Sequence, residues 1–185
     1  MICLDYRSNI LIFCSLSVLL SLSGVVNAAD FNITTLQNIT DNCDYNSGTY
    51  TYNCSVDSNG DVWDNINVLT SINLLNTHGT YKADSDNIIF QAKNEFYAIS
   101  TIDASGTRGG CSDNGAGGSG GSITINAKSI NVTSLSSVGA YCRDLNKCRL
   151  CNTGGRGGAI YLNGVDVGVS GNLNLYGGYG TEASG

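Results

Sequence analysis

Few residues in this chain combine the type and the spacing that enzymatic chemistry requires. The sequence contains a single histidine, His78, so a Ser–His–Asp or Cys–His nucleophilic site would depend on that one residue. Because it lies in the polar segment Asn-Thr-His-Gly, we interpret His78 as a surface residue. The sequence therefore predicts a protein that is not an enzyme, and it indicates no cofactor.

Two short motifs match binding sites by their letters alone. Residues 115–120 have the Gly-x-Gly-x-x-Gly spacing of a dinucleotide site, but they precede a predicted strand, whereas that site opens a helix. Residues 57–61 place acidic and amide side chains as a calcium loop does, yet Val62 and Val68 occupy the positions of its glycine and its final glutamate. We interpret the first as a repeat loop and the second as an Asn-Gly turn.

The cysteines indicate disulfide chemistry in an oxidising compartment. Cys43 and Cys54 could close a small loop, and the C-x-x-C pair near residue 150 is interpreted as structural rather than as a zinc site. A further cysteine lies in a first glycine-rich loop, residues 106–121. It is expected to bond to one of three cysteines in a second glycine-rich loop, residues 139–158, and the connectivity stays open. The six cysteines beyond the N-terminal segment are Cys43, Cys54, Cys111, Cys142, Cys148 and Cys151.

The N-terminal segment predicts export. Residues 10–26 are mostly apolar and are followed by Asn27 and Ala28, so we interpret residues 1–28 as a cleaved signal peptide, with an uncleaved anchor as the alternative. No second apolar run predicts a transmembrane segment. Four Asn-x-Ser/Thr sequences agree with a secreted or cell-surface glycoprotein; they begin at Asn32, Asn38, Asn53 and Asn131.

Charge distribution narrows the possible partners. The net charge of −6 argues against nucleic acid as a partner. The second glycine-rich loop is locally basic, so it could bind an anionic glycan or the acidic face of another surface protein. A solvated loop held by disulfides is the alternative interpretation. The basic residues are Arg143, Lys147, Arg149 and Arg156.

A repeated segment predicts how the elements are arranged. Residues 120–126 (GGSITIN) return 37 residues later as residues 157–163 (GGAIYLN), and residues 87–93 resemble residues 122–128 at an offset of 35. Such repetition with alternating apolar residues predicts stacked β coils, and no stretch is predicted to be helical. The 37-residue offset pairs Ile123 with Ile160, Ile130 with Val167, Val132 with Val169, and Val138 with Leu175.

The glycine-rich repeat also carries a family resemblance. Residues 115–125, followed by the alternating residues 130–132, resemble the coils of secreted right-handed parallel β-helix proteins, including adhesin-like and polymorphic-membrane-protein-like surface proteins. The resemblance covers about residues 85–185. It implies an all-β right-handed parallel β-helix, for which a β-sandwich is the alternative fold, and it brings no catalytic residue.

These observations predict three regions and a structural role. Residues 29–65 are expected to form an N-terminal β cap, and residues 66–185 the coils. We expect a surface scaffold for adhesion, with specificity in the loops at residues 106–121 and 139–158; the alternative is a carbohydrate-active β-helix that binds or cleaves glycans. Because the sequence stops where another glycine loop would begin, we expect a truncated product or fragment, with edge-to-edge association at an uncapped last coil.

Overall fold

The chain folds into stacked parallel β coils, which confirms the predicted parallel β-helix. The computed structural model describes residues 29–75, 84–107, 117–141 and 154–178. The coils make about three turns. Their ladders are parallel, whereas the β-sandwich alternative would be built from antiparallel strands.

Eleven strands and one short helix make up the regular structure of the described residues. The helix, α1, spans Leu36–Asn42. No described helix combines the length and the apolar character needed to cross a membrane. The strands are β1 (Phe31–Ile33), β2 (Asp44–Asn46), β3 (Thr51–Cys54), β4 (Trp63–Val68), β5 (Ile72–Asn73), β6 (Asn87–Asp103), β7 (Ile123–Asn126), β8 (Ser129–Ser136), β9 (Ile160–Asn163), β10 (Asp166–Val169) and β11 (Leu173–Asn174).

Each coil contributes strands to two sheets. In sheet one, β1, β4, the second half of β6, β8 and β10 stack in parallel, and β5 and β11 extend it at their levels. In sheet two, β3, the first half of β6, β7 and β9 stack in parallel, and β2 pairs antiparallel with β3. The long strand β6 bends from one sheet to the other.

The core is built from columns of apolar side chains between the sheets. Since a strand alternates its side chains, every second residue points inward, and the parallel register places equivalent residues above one another. The structure confirms the 37-residue pairs Ile123–Ile160, Ile130–Val167 and Val132–Val169 and the earlier 35-residue repeat. One column contains Tyr52, Ile88, Ile123 and Ile160, and another contains Phe31, Ile66, Phe96, Ile130 and Val167.

The predicted pairing of Val138 with Leu175 is wrong by one residue. Leu135 pairs with Leu173, so the offset has grown to 38. The N–H groups of Ser137 and Gly139 then donate to the carbonyls of Asn174 and Tyr176 at 2.9 and 2.8 Å, which places Val138 opposite Tyr176. One additional residue in the segment between β10 and β11 causes the shift.

The N-terminal end contains the helix that the sequence analysis did not predict. β1 extends sheet one and β2 lies at the same end of sheet two, and α1 connects them across the core, where Ile39 is fully buried. At the start of α1, the side-chain oxygen of Asn38 accepts hydrogen bonds from the N–H groups of Thr34 and Thr35 at 2.9 and 3.0 Å. Seven residues are too few to give the helical periodicity by which longer helices are predicted.

A disulfide fixes this helix to the first coil. Cys43, directly after α1, is bonded to Cys54 at the end of β3, as predicted. Within residues 29–65, β3 and β4 pair in parallel with β6. The other four predicted disulfide cysteines lie outside the described residues.

Glycine-rich backbone forms the third side of the later coils, at residues 117–121 and 154–158. Where this part is described, the segments pack closely, because Gly155 donates to the Ala140 carbonyl at 3.0 Å and Gly178 donates to the Gly155 carbonyl at 2.7 Å. A Cβ atom on Gly155 would lie 1.9 Å from the carbonyl oxygen of Gly118. Glycine is therefore required here by the close approach of neighbouring backbones.

Candidate functional site

A polar cleft lies at one corner of the stack. It is formed by the turn before β3, the segment that enters β6, and the glycine-rich segment that precedes β7. The cleft has a volume of about 190 Å³ and is lined by residues 49–50, 84–87 and 119–121. These residues come from three successive coils, so the parallel register positions them. We call this feature the corner cleft.

Asn87 joins the three coils that form the corner cleft. Its side-chain oxygen accepts hydrogen bonds from the N–H and hydroxyl of Ser122 at 2.7 and 2.9 Å. Its amide nitrogen donates to the Thr49 carbonyl at 2.9 Å, and its backbone N–H donates to the Tyr50 carbonyl at 2.8 Å. One side chain therefore satisfies polar groups of the coil below and the coil above.

Two carboxylates lie in the corner cleft in different surroundings. Asp84 is exposed, and its Oδ1 accepts the backbone N–H of Ser119 at 2.6 Å. Asp86 is only 2 % exposed, and the Tyr45 hydroxyl donates to its Oδ1 at 3.4 Å. Burial, followed by the negative charge of Asp86, raises the pKa of Tyr45 to about 12. The Tyr45 phenol therefore stays protonated at neutral pH and acts as a donor.

Tyr50 combines an unusual backbone with an accessible ring. Its φ of 50° lies in the left-handed region, which a bulky residue rarely adopts outside turns. Its side chain is 42 % exposed and borders the corner cleft. An aromatic ring beside carboxylate and amide oxygens can stack on an apolar ring face while the oxygens accept hydrogen bonds from hydroxyl groups.

The corner cleft was not predicted from the sequence. Thr49 and Tyr50, which line it, lie in the turn before β3. A signal existed, because Asp84 contacts Ser119 and Asn87 contacts Ser122 at the 35-residue offset of the apolar repeat.

The predicted basic patch is only partly described. Arg156 is exposed, and its backbone stacks over the corner cleft, where its N–H donates to the Ser119 hydroxyl at 3.4 Å and its carbonyl accepts the Gly120 N–H at 2.8 Å. The remaining patch residues Arg143, Lys147 and Arg149 lie outside the described residues, as do His78 and the predicted signal peptide.

Three of the four predicted glycosylation sites have exposed side chains, namely Asn32, Asn53 and Asn131. Asn32 accepts a hydrogen bond from the side chain of Asn67 at 2.9 Å, and Asn131 donates to Glu95 at 3.4 Å. Asn38 is half-buried because its side chain caps α1.

Residues 57–61 form the predicted turn. The Asp57 carboxylate accepts the N–H groups of Asn59 and Asp61 at 2.8 and 3.0 Å, and Gly60 has a φ of 84°. The hydrogen bond from Asp61 is the main cause that lowers the pKa of Asp57. Across the described ranges, no group of three His, Cys, Asp or Glu side chains is arranged to hold a metal ion.

No protein-family model, curated protein or solved structure matches this chain. The class of the protein is therefore defined by its fold, a parallel β-helix.

Proposed function

We propose that this protein is a secreted or cell-surface β-helix scaffold that binds a partner through groups on its outer surface and does not act by catalysis. The polar groups of the corner cleft support this proposal, because they hold the coils together. Asp84 binds the backbone of the next coil, and Asn87 joins the coils on both sides. A catalytic carboxylate would need its oxygens directed at a substrate.

Polar stacking continues along the outer faces of the sheets. Asn67 donates to Asn32 at 2.9 Å, and Asn163 donates to Asn126 at 2.8 Å. These contacts lie between successive coils on exposed strand positions. They favour a rigid stack whose outside is polar, as expected of a surface-displayed scaffold.

Export and glycosylation are part of the proposal and can be tested directly. Expression of the full chain in a glycosylating eukaryotic host should give medium containing protein that starts near Ala29 and loses mass on N-glycanase treatment. Substituting Asn32, Asn53 and Asn131 by Gln should remove most of that mass difference. Retention of the unprocessed chain inside the cell would contradict the assignment.

Glycan binding at the corner cleft is the second candidate function. It is favoured by the exposed Tyr50 ring, whose strained backbone is held beside Asp84. Because the cleft carries carboxylates, it suits neutral or cationic sugars, whereas the basic loop with Arg143, Lys147 and Arg149 suits anionic ones. The two surfaces therefore predict different ligands.

A glycan array tests both surfaces. Tyr50→Ala should abolish binding of neutral glycans, whereas Tyr161→Ala, which removes a comparably exposed tyrosine on β9, should leave it unchanged. Joint substitution of Arg143, Lys147 and Arg149 by Ala should affect only anionic glycans. Binding that survives both sets of substitutions would assign recognition to other groups.

Catalysis is tested separately on the same polysaccharides. The proposal predicts no release of reducing ends or unsaturated products by the wild-type protein. Product release that disappears in Asp84→Asn and persists in Asp57→Asn, an exposed acid of the turn, would establish a carbohydrate-active enzyme instead.

A further inference from the structure

A groove crosses the outer face of sheet one, on the side of the stack. It has a volume of about 350 Å³ and is lined by residues 97–98, 131–133 and 168–170. These residues belong to three successive levels, and all of them are described. The volume is within the range of small-ligand sites, about 300–1,000 Å³. We call this feature the side groove.

Asn131 and Tyr97 are neighbours in the side groove. Both point outward from sheet one, because the residues before and after each of them in the strand are buried. They pair in register between β8 and β6, so their backbones are about 4.8 Å apart. Tyr97 is 42 % exposed. Its ring is therefore accessible directly beside the Asn131 side chain.

The amide of Asn131 is oriented with its nitrogen toward the level of Tyr97. A Cβ atom on Gly168, the paired residue of the level above, would lie 2.8 Å from Asn131 Oδ1, so this oxygen occupies the space of the missing side chain. Nδ2 is directed at the level below, where it donates to the Glu95 carboxylate at 3.4 Å. Glu95 lies two residues before Tyr97 in β6. A group bonded to Nδ2 would therefore begin close to the Tyr97 ring.

We propose that the side groove holds the first sugar of an N-linked glycan on Asn131, with the apolar face of the sugar ring stacked on Tyr97. The inference rests on the glycosylation that the proposed function includes. In the transfer, Asn131 Nδ2 forms a bond to C1 of the sugar, loses one proton and displaces the pyrophosphate of a lipid-linked donor. Because Asn131 lies in a paired strand, the transfer takes place on the exported chain before β8 joins the sheet.

The side groove offers the contacts that a sugar needs. A sugar has a C–H face that packs on an aromatic ring, and hydroxyl and acetamide groups that need hydrogen-bond partners. Tyr97 provides the ring. The Glu95 carboxylate can accept hydrogen bonds, and the hydroxyl of Ser170, which lines the groove, can donate or accept them. The apolar and polar sides of a sugar are therefore both matched.

The glycan would also cover apolar surface. Leu69 and Ile99 directly follow the paired residues Val68 and Ala98, and they are 42 and 49 % exposed. Together with Tyr97 they form an apolar patch on the outer face of sheet one. Adjoining exposed apolar side chains commonly mark a contact surface. A glycan that extends from the side groove along the sheet would shield this patch from water.

The other two exposed asparagines of Asn-x-Ser/Thr sequences have different neighbours. Asn32 pairs with Asn67, whose side chain donates to it at 2.9 Å. Asn53 lies on sheet two and pairs with Ile89 of the adjacent coil. Of these three asparagines, Asn131 is the one whose partner in the adjacent coil is aromatic. Asn53 therefore serves as an internal control in the same molecule.

N-glycanase digestion of the folded full chain, secreted from a glycosylating eukaryotic host, tests the proposal. Release from each site is followed by peptide mass, because each released asparagine becomes aspartate. The rate at Asn131 relative to Asn53 should be about threefold lower or more in the folded wild type than in the unfolded protein, since stacking on the ring hides the linkage.

Substitutions of Tyr97 separate the ring from the rest of the groove. Tyr97→Ser should abolish the difference between folded and unfolded protein, whereas Tyr97→Phe should keep it, because stacking needs the ring and not the hydroxyl. Tyr161→Ser is the matched control. It removes a comparably exposed tyrosine on sheet two and should leave the relative rate unchanged.

Proton NMR covers the case in which Tyr97→Ser misfolds. In folded wild type, the sugar bonded to Asn131 should show nuclear Overhauser contacts to the Tyr97 ring. A glycan on Asn131 that lacks these contacts and is released at the same relative rate as in the unfolded protein overturns the inference and leaves glycosylation intact. An unmodified Asn131 beside a modified Asn53 also overturns it, and a chain without any N-glycan overturns the proposed glycosylation as well.

Discussion

At its N-terminal end, the coil stack finishes with a helix whose Ile39 side chain is fully buried against the core, whereas at its described C-terminal end Val169 and Leu173 remain partly exposed on top of a buried coil. The columns beneath the two ends are built from the same kinds of residue. What differs is the presence of an amphipathic element that turns a polar side to solvent. The comparison shows that the apolar side chains of a coil are buried only when another element covers them on each side. At the N-terminal end, seven helical residues provide that cover in place of a coil.

The greatest loss of stability is expected from Ile39→Ala. Removing a fully buried isoleucine should lower the free energy of unfolding by about 3 kcal/mol, through lost burial and the cavity that remains. Leu173→Ala at the open end should cost less than about 1 kcal/mol, because that side chain is already half exposed. Urea unfolding measures both losses. Equal losses would mean that the open end is covered.

Loss of the disulfide should have a similar effect at the closed end. Replacing both Cys43 and Cys54 by Ala should lower the free energy of unfolding by about 3 kcal/mol, because the unfolded chain becomes less constrained. The single variant Cys43→Ala should lose a comparable amount, since it also removes the cross-link. Thermal unfolding that is the same with and without the bond would show that α1 is held by packing alone.

The same comparison can be made with one residue type in one column. Val132→Ala should cost about 2 kcal/mol, because Val132 is buried beneath the last coil. Val169→Ala, one level higher in the same column, should cost less than half as much. The ratio of the two losses, from denaturant unfolding, reports how open the C-terminal end is in solution.

At alkaline pH, a smaller difference in the free energy of unfolding is expected between wild type and Tyr45→Phe. Because the pKa of Tyr45 is raised from 10.0 to about 12, the stability linked to its protonated form is complete below pH 10 and is lost as the pH rises toward 12. Tyr45→Phe should lack this loss, so the two proteins should converge in stability over that interval. Absorbance titration of the phenolate should show one late-titrating tyrosine in wild type that the variant lacks.

The smallest effect is expected in the turn at Asp57. The lowered pKa of this carboxylate means that its contribution is present above its usual value of 3.8 and is lost as the pH falls through the lowered value. Wild type should therefore be slightly more stable than Asp57→Ala at pH 6, and the difference should vanish well below pH 3.8. A difference that is independent of pH would assign the effect to the turn backbone.

Much of the fold could be predicted because similar residues recur in the sequence at a nearly fixed offset. Ile123 and Ile160 occupy the same strand position at a fixed offset, and alternation around them predicts parallel stacking. The offset failed at Val138 because one extra residue between β10 and β11 changes the register. The helix at Leu36–Asn42 escaped prediction because seven residues are too few to show the helical periodicity by which helices are predicted.

The corner cleft could not be predicted in the same way. Tyr50, Asp84 and Ser119 are far apart in the sequence and meet only because three coils stack in one particular register. Their polar character gives no periodic signal, and a tyrosine with a left-handed backbone cannot be recognised from its neighbours. Prediction succeeded for the inward apolar positions, which recur at every level of the stack. It failed for features that occur at a single level, such as the turn at Tyr50.

The contacts of Asn87 affect which levels of the stack separate together. Because this side chain contacts the level below and the level above its own, neither of those two levels can detach without breaking a hydrogen bond to Asn87. Among the described contacts, the fourth level, with β9, β10 and β11, has no such connection to Asn87. Of the four described levels, the three that Asn87 joins should therefore separate together under tension, and the fourth should separate from them more easily.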